Sequence, residues 1–399
     1  MSLRVIELPE GKTQSFAKEE LAESVVKALH DAYANQVSVE PPSFLNGNQW
    51  RLTSRGWVGY IPLDGGVHFS LSPKVSIQNL FGMIEYAYKL NGFRVLEGLV
   101  DAESIAEIYD RLALILAKRV LGRLRRGLYR SYMGQDDNLP YVRGRMDLLA
   151  HVRDPARVTL PCCFEEHTAD LEDNQILLWT LTRVLECGVC TELSLPYVRQ
   201  ARRAMQSFSS MTPFSGESCV DRLYNRLNDD YSPMHALCRF FLEHTGPTHR
   251  AGDRRMLPIL VDMDRLFELF VFEWMKAHLP AGLSIQPQVT VAFEMGQQVT
   301  VRIDITISEN ATGRTCHVLD TKYKAPDQPA AADIEAVVAY AVAKDCNEAV
   351  LIYPGILPHP IDGHFGTDIR VRSVVFDLEG DLEAAGLCML NALIPLCGT

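Results

Sequence analysis

One stretch of the chain, residues 301–324, holds residue types that could bind a metal ion and activate water. Its sequence is VRIDITISENATGRTCHVLDTKYK. Asp304 interrupts a run in which apolar residues alternate, and the next predicted strand carries Asp320 and Lys322. These two residues are two positions apart, so their side chains leave the same face of a strand. If the two strands pair, Asp304 approaches Asp320.

Two carboxylates at one edge of a sheet repel each other unless a cation lies between them. Mg²⁺ suits such oxygen ligands and keeps bound waters. A lysine beside the metal can orient the attacking water and neutralise charge on a phosphoryl oxygen. The pattern D-x15-D-x-K therefore indicates metal-assisted hydrolysis of a phosphodiester. A plain salt bridge at the strand edge, between an aspartate and Lys322 or Lys324, is the structural alternative.

The elements around this stretch alternate between helix and strand. A helical segment with Glu268 comes first, three strand-like runs follow, and then a helix and two more strands. This order predicts an α/β domain with a mixed sheet flanked by helices. The runs are, in order, VDMDRLFELFVFEWMKAHL, QVTVAFE, VTVRIDITI, TCHVLDTKYK, ADIEAVVAYAVAKDC, NEAVLIYPG and DIRVRSVVFDL.

The first two thirds of the chain have a different pattern. WVGYI and VHFSL alternate on either side of Asp64-Gly65-Gly66, which predicts a β-hairpin. Residues 101–130 and the segment from Asn174 are helical, whereas residues 134–161 are rich in turn formers. We therefore predict a multidomain α+β protein with a β-rich N-terminal domain at 1–100, a mainly helical middle region at 101–255 and the α/β domain at 256–399.

Composition excludes several classes of protein. The chain has 399 residues and a net charge of −11, so it is a poor candidate for a free-standing, non-specific coat of nucleic acid. It has no signal peptide and no run of about 18 apolar residues, so we expect a cytoplasmic protein with no membrane contact. It has no GxxxxGK[ST] segment either, so it supplies no nucleotide motor of that kind.

The order helix(Glu)–strand(Asp)–strand(Asp-x-Lys)–helix resembles the PD-(D/E)xK nuclease superfamily. More narrowly, the chain resembles the McrC family, the nuclease subunits of McrBC modification-dependent (5-methylcytosine) restriction systems. The matching segments span nearly the whole chain. They are LTSRGWVGYI, SLSPKVSIQNLFGMIEYAYKL, VRGRMDL, CCFEEHTADLEDNQILLWTL, DMDRLFELFV, RIDITI, LDTKYK and VLIYPG.

The resemblance implies a role for each residue of the candidate site. Asp304 and Asp320 would be the carboxylates that bind Mg²⁺, with Thr321 as a further residue at the metal. Lys322 would be the catalytic lysine. Glu268, on the preceding helix, would be an auxiliary acid of the catalytic set. Each of these roles is an expectation carried over from the family.

Three positions qualify this assignment. Glu273 lies one and a half turns after Glu268 and is the weaker choice for the auxiliary acid. Ile303 stands where relatives often have proline, and Ala336 stands where they often have glutamine. The Ala336 departure questions a secondary contact to water or phosphate but not the metal core. The Ala336 departure favours an alternative function, a non-catalytic activator of an AAA+ partner with a vestigial nuclease domain. The intact Asp320-Thr321-Lys322 element favours an active enzyme.

The resemblance also implies partners. They are an McrB-like AAA+ GTPase hexamer and double-stranded DNA that contains modified cytosine, and two copies of the chain would cut the two strands. The N-terminal hairpin would contact the motor ring, with Trp57 and Tyr60 as candidate exposed aromatics or as ordinary strand packing. A nuclease for unmodified DNA, with a partner that is not a GTPase, is a further alternative.

Overall fold

The structure is a computed structural model that describes residues 4–63, 67–90, 104–153, 158–246, 249–251, 254–294, 298–324, 326–365 and 368–394. Helices and several sheets alternate along these residues, which confirms the predicted multidomain α+β fold class. Contacts divide the chain into two compact units, residues 1–108 with 246–399 and residues 109–245. In the described ranges no helix has the length and apolarity needed to cross a membrane.

The N-terminal part of the first unit holds two small sheets. Its elements are β1 (Arg4–Pro9), β2 (Thr13–Ala17), α1 (Glu23–Tyr33), β3 (Val37–Glu40), β4 (Gln49–Ser54), β5 (Trp57–Pro62), β6 (Val67–Ser72) and α2 (Ile77–Ala87). β5 and β6 pair antiparallel, which confirms the predicted hairpin. The predicted turn at Asp64-Gly65-Gly66 lies outside the described residues. α1 buries Val26, Leu29 and Tyr33, whose spacing places one apolar stripe against the sheets.

The second unit is mainly helical and contains a three-stranded sheet of order β7-β9-β8. Helix α3 enters this unit from the first one. The elements are α3 (Ile105–Arg126), β7 (Ser131–Leu139), β8 (Arg145–Met146), α4 (Leu148–Arg153), β9 (Leu160–Thr168), α5 (Glu172–Cys187), α6 (Leu195–Met205) and α7 (Tyr231–His244). The sequence predicted turns over residues 134–161, but residues 134–139, 145–146 and 160–161 of that stretch are strand. β7 is exposed along almost its whole length, so it lacks the apolar alternation that marks a half-buried strand.

Asn174 organises the interior of the second unit. Its side chain is fully buried, donates to the carbonyls of Tyr129 and Ala169, and accepts from the hydroxyl of Tyr231. A buried amide is tolerated only when its polar atoms find such partners. Asn174 thereby joins the segment after α3 to the start of α5 and to α7.

The last third of the chain completes the first unit. Its elements are β10 (His249–Ala251), β11 (Arg254–Met256), β12 (Ile259–Asp262), α8 (Met263–His278), β13 (Leu283–Glu294), β14 (Gln298–Glu309), β15 (Thr315–Thr321), α9 (Ala331–Ala343), β16 (Glu348–Tyr353), β17 (Asp362–Phe365), β18 (Ile369–Val375) and α10 (Leu382–Leu393). The main sheet has the order β13-β14-β15-β16-β18-β17. It is antiparallel from β13 to β15, parallel from β15 through β16 to β18, and antiparallel again at β17. The predicted mixed sheet is therefore confirmed.

The predicted domains 1–100 and 256–399 lie in the same compact unit. β12 pairs with β5 and so extends the N-terminal sheet directly before α8. Asn79 on α2 donates to the carbonyls of Leu378 and Gly380, and the hydroxyl of Tyr86 donates to Glu383. The three-domain division stays a prediction.

At Gly59, β5 leaves no room for a side chain beside β12. The φ of Gly59 is +151°, and a Cβ atom there would lie 1.9 Å from the carbonyl oxygen of Ile259. Only glycine has room for such an approach between paired strands. The junction therefore depends on this one residue.

We predict that Gly59→Ala destabilises the first unit, because the new Cβ atom must push β5 and β12 apart. The conformational strain alone should lower the free energy of unfolding by roughly 1–3 kcal/mol. Gly363→Ala is the matched control, since a Cβ there meets no heavy atom within 4 Å. Chemical denaturation of both variants measures the difference. Equal stability of the two would contradict the predicted clash.

Candidate active site

Glu268 owes its position to the start of α8. Asp262, the last residue of β12, accepts hydrogen bonds from the backbone N–H groups of Asp264 and Arg265 and so caps the helix. Phe267 and Phe270 are fully buried on the inner side of the helix. Glu268 lies half-buried between them, and its Oε1 accepts a hydrogen bond from the side-chain amide of Gln288, at 3.2 Å.

Asp304 and Asp320 come together through the register of β14 and β15. Ile305 pairs with Leu319, so one step further along the antiparallel ladder places Asp304 opposite Asp320. The backbone N–H and the hydroxyl of Thr321 both donate to Asp304 Oδ2, at 2.9 and 3.1 Å. Asp320 is 2% exposed, which makes it one of the few buried carboxylates in the described chain. The structure thus brings together the two aspartates that the sequence pattern singled out.

Lys322 lies at the end of β15, beside these carboxylates. Its Nζ is 2.6 Å from Asp320 Oδ2, and its backbone N–H donates to the carbonyl of Ile352 on β16. The Asp320 oxygen is held by ionic attraction, since it makes no hydrogen bond of good geometry. The strand-edge salt bridge considered as an alternative is therefore present, but it lies inside a cluster of acids. Lys324 forms a separate ion pair with Asp333, at 2.5 Å.

The acids share one electrostatic environment. Burial, and next the charge of Asp304, raises the pKa of Glu268 from 4.5 to about 7. The same two causes raise the pKa of Asp320 to about 6, although Lys322 opposes them. Burial tends to lower the pKa of Lys322, but the charges of Asp320 and Asp304 outweigh it and the pKa rises. Negative charge exceeds positive charge at this site, as is typical of a cation-binding site.

The strand end that carries Lys322 is anchored to the N-terminal part of the same unit. The hydroxyl of Tyr323 donates to the buried carboxylate of Glu10, at 3.4 Å. Lys74 neutralises that carboxylate, with 3.2 Å between its Nζ and Glu10 Oε1. The Tyr323 ring also packs against Phe267 on α8, one residue before Glu268. The side chain of Tyr323 therefore connects the residues that follow β15 to α8 and to Glu10, which follows β1.

Glu273, the weaker choice for the auxiliary acid, has a different environment. Its carboxylate forms an ion pair with Lys89, at 3.2 Å, just after the end of α2. Its side chain is 10% exposed, whereas that of Lys89 is 62% exposed, so the pair is open to water on the lysine side. Glu273 thus joins α8 to the N-terminal part, while Glu268 faces the acids of the sheet.

The side chains fit a magnesium ion in a site with two protein carboxylates. Among the described residues no three His, Cys, Asp or Glu side chains converge to enclose a metal. Mg²⁺ usually binds one or two protein carboxylates and keeps several waters. Asp304 and Asp320 supply that number of carboxylates. The buried Asp320 carboxylate would be one of the two ligands, and its Oδ2 is paired with Lys322 at 2.6 Å. The amide and hydroxyl of Thr321 are bound to Asp304, and its role at the metal stays a prediction.

Two residues near the acids had no signal in the sequence. Gln288 lies on β13 in line with Asp304, since the neighbouring pairs are Pro287 with Ile305 and Val289 with Ile303. Tyr340 lies on α9, one turn after Ala336. Burial raises its pKa, and the charges of Asp320 and Asp304 raise it further, so its hydroxyl is within their field. Both residues are ordinary in the sequence, and only strand register and helix packing bring them to the acids.

Comparison with known proteins identifies the family. A family model described as "McrBC 5-methylcytosine restriction system component" matches residues 52–354, about three quarters of the chain. The chain belongs to the McrBC family. This confirms the resemblance noted from the sequence. The matched range of the McrBC model contains Glu268, Asp304, Asp320 and Lys322.

One solved structure supports the fold. A chain from a half-complex of *Thermococcus gammatolerans* McrB AAA+ hexamers with bound McrC is 16% identical, with a TM-score of 0.56, and the match covers 98% of this chain and 100% of that one. A chain from the *Thermococcus gammatolerans* McrBC complex is 18% identical, over 69% of this chain and 88% of that one, with a TM-score of 0.43. The first likeness supports the fold, while the second is too weak to support an argument. No curated protein matches the chain.

We predict that the metal-free McrBC chain loses stability as pH rises from about 4.5 through 7. A carboxylic acid whose pKa is raised on folding stabilises the folded state while protonated, and this contribution disappears above the folded pKa. For Glu268 the loss should be on the order of 1 kcal/mol, since partial exposure reduces the effect. Denaturant unfolding between pH 5 and 8, with a chelator present, measures it.

Glu268→Gln should flatten that pH dependence and be more stable than the wild type at pH 8. Glu335→Gln, at an exposed position of α9, is the control and should follow the wild type. Parallel curves for Glu268→Gln and the wild type would show that burial of Glu268 costs no free energy.

Proposed function

We propose that this McrBC-family chain is a Mg²⁺-dependent DNA endonuclease subunit that hydrolyses phosphodiesters of DNA containing modified cytosine. The observation that carries the proposal is the placement of Asp304 opposite Asp320 with Lys322 at 2.6 Å from Asp320. Carboxylates and a lysine in this arrangement are suited to metal-assisted attack by water on a phosphate. The arrangement of α8, β14, β15 and α9 supports assignment to the PD-(D/E)xK superfamily.

Each side chain has a task in this reaction. Mg²⁺ held by Asp304 and Asp320 would polarise the phosphate and lower the pKa of a bound water. Lys322 would neutralise negative charge that develops on a phosphoryl oxygen, because its ammonium is permanently charged near neutral pH. Glu268, the auxiliary acid of the set, would lie beside the metal carboxylates, where a carboxylate can take up or release a proton. Tyr323 and Glu10 would keep Lys322 in place.

The proposal includes an AAA+ GTPase hexamer as partner. The chain has no phosphate-binding motor motif of its own, and its net charge is −11, so a partner must grip and move the DNA. The *Thermococcus gammatolerans* assembly contains McrB AAA+ hexamers with bound McrC, which supports the choice of partner class. Such a complex would act on DNA in the cytoplasm.

The candidate aromatics of the N-terminal hairpin are engaged within the chain. Trp57 packs against the core of the N-terminal part. Tyr60 stacks on His68, with 5.2 Å between ring centroids. Both therefore serve strand packing, and the proposal assigns them no contact with the partner.

We predict that Asp320→Asn and Lys322→Met abolish cleavage of a 5-methylcytosine plasmid in the presence of Mg²⁺, GTP and the partner. Loss of a group that stabilises transition-state charge costs roughly 10²–10³-fold in rate. Lys27→Met, at an exposed position of α1, should cleave like the wild type. Both site variants should still stimulate GTP hydrolysis, because the fold that meets the partner is intact.

Cleavage by Asp320→Asn at the wild-type rate would refute the catalytic assignment. If the wild type stimulates GTP hydrolysis but cuts no DNA, modified or unmodified, the non-catalytic activator is the better description. Cleavage of unmodified DNA at an equal rate would remove modified cytosine from the proposal.

We also predict that Mg²⁺ stabilises the isolated chain through Asp304 and Asp320. A ligand present at 100 times its Kd adds about 2.7 kcal/mol to the free energy of unfolding. Asp304→Asn should lose most of this gain, since it removes a ligand carboxylate without changing side-chain size. Denaturant unfolding with and without Mg²⁺ measures the gain. An unchanged gain in Asp304→Asn would place the ion elsewhere.

A further inference from the structure

Gln288 occupies an unusual place in β13. The ladder with β14 pairs Pro287 with Ile305 and Val289 with Ile303, so Gln288 stands directly opposite Asp304. The backbone pairing is interrupted at this one step, although the register is the same on both sides of it. Gln288 is thus aligned with the carboxylate pair of the proposed active site, on the strand beside β14.

The side chain of Gln288 contacts the other acid of the site. Its Nε2 donates to Glu268 Oε1, at 3.2 Å. Glu268 Oε1 therefore has a neutral donor. An amide suits this task, because a second carboxylate would repel Glu268 and a lysine would form a competing ion pair.

The backbone of Gln288 is strained. Its φ is +52°, in the left-handed region that glycine and asparagine adopt far more readily than glutamine. Such strain persists where the surroundings enforce it, and it is concentrated at functional sites. A glycine at this position would relieve the strain but would have no amide. Glutamine at this position therefore keeps a side-chain amide that donates to Glu268, although its backbone is strained.

We propose that Gln288 is a positioning residue that holds the carboxylate of Glu268 beside Asp304. It acts through Glu268 and does not itself touch the substrate. The left-handed backbone brings its amide to Glu268, and the interrupted ladder lets the strand adopt that conformation. This inference rests on the proposed nuclease function.

The test uses Gln288→Asn and Gln288→Gly in the full chain with its partner, Mg²⁺, GTP and a 5-methylcytosine plasmid. Both replacements accept a left-handed φ, but asparagine is one methylene short and glycine has no amide. A misplacement of about 1 Å costs up to 10²-fold in rate, so kcat should fall roughly 10–100-fold. KM for the plasmid should stay within about twofold, and the midpoint of thermal unfolding should not fall, since backbone strain is relieved.

Gln286→Asn is the matched control on the same strand, two residues earlier and exposed. It loses one methylene from the same kind of side chain and should leave kcat unchanged. An equal fall in kcat for Gln286→Asn would show that the effect belongs to β13 as a whole.

The decisive comparison combines Gln288→Asn with Glu268→Gln. If Gln288 acts through Glu268, the double variant should be no slower than Glu268→Gln alone. A further 10–100-fold fall in the double variant would overturn the inference. So would a loss of kcat that comes with a matching loss in the unfolding midpoint, because a structural role then explains it.

Asp320→Asn separates this inference from the proposed function. If Asp320→Asn is inactive and both Gln288 variants cleave like the wild type, only the role of Gln288 is wrong. If Asp320→Asn cleaves like the wild type, or the wild type does not cleave, the proposed function is wrong and the role of Gln288 is wrong with it.

Discussion

Two aspartates opposite each other on adjacent strands bring like charges together, and burial increases the cost. Asp320 is almost completely shielded from water, Asp304 lies across the ladder from it, and Glu268 adds a third acid from α8. A protein holds such a group only if the surrounding structure is stable enough to oppose the repulsion. The rest of the first unit is best understood as the framework that does this.

That framework reaches well beyond the main sheet. β12 joins the N-terminal sheet next to β5, and its last residue, Asp262, caps the helix that carries Glu268. Tyr323, directly after Lys322, bonds to the buried Glu10 near the end of β1. Both the helix and the strand of the site are therefore fixed by residues at the beginning of the chain. A substitution in the N-terminal part that disturbs β5 or Glu10 therefore affects the elements that position the acids.

The site also shows where stability is given up for function. The raised pKa values of Glu268 and Asp320 mean that the folded chain opposes their ionisation at neutral pH. Gln288 adds a strained backbone beside them. A bound cation reduces the free-energy cost of ionising Glu268 and Asp320, because it offsets the negative charge of these buried carboxylates. Metal binding and folding stability are thus linked through the same carboxylates.

Local patterns in the sequence predicted the helices and strands that carry the candidate site, whereas β12, β17 and α10 were not predicted. Alternation around Asp304, the two-residue spacing of Asp320 and Lys322, and the helical repeat around Glu268 each depend on neighbours along the chain. For the same reason the hairpin of β5 and β6 was predictable. β7 was missed because it is exposed along almost its whole length, and β9, which buries Cys162, shows no simple alternation of apolar and polar residues.

The sequence by itself determined the chemistry available to this protein: two aspartates, a glutamate and a lysine on elements of known type, and segments that resemble the McrBC family, whose model matches the chain. Only the tertiary structure decided which groups surround them. Gln288, Tyr340 and the Tyr323–Glu10 contact depend on register and packing between segments as much as 313 residues apart. Such contacts produce no periodic pattern in the sequence. They depend on which surfaces pack together in the folded chain and not on residues that are neighbours along it.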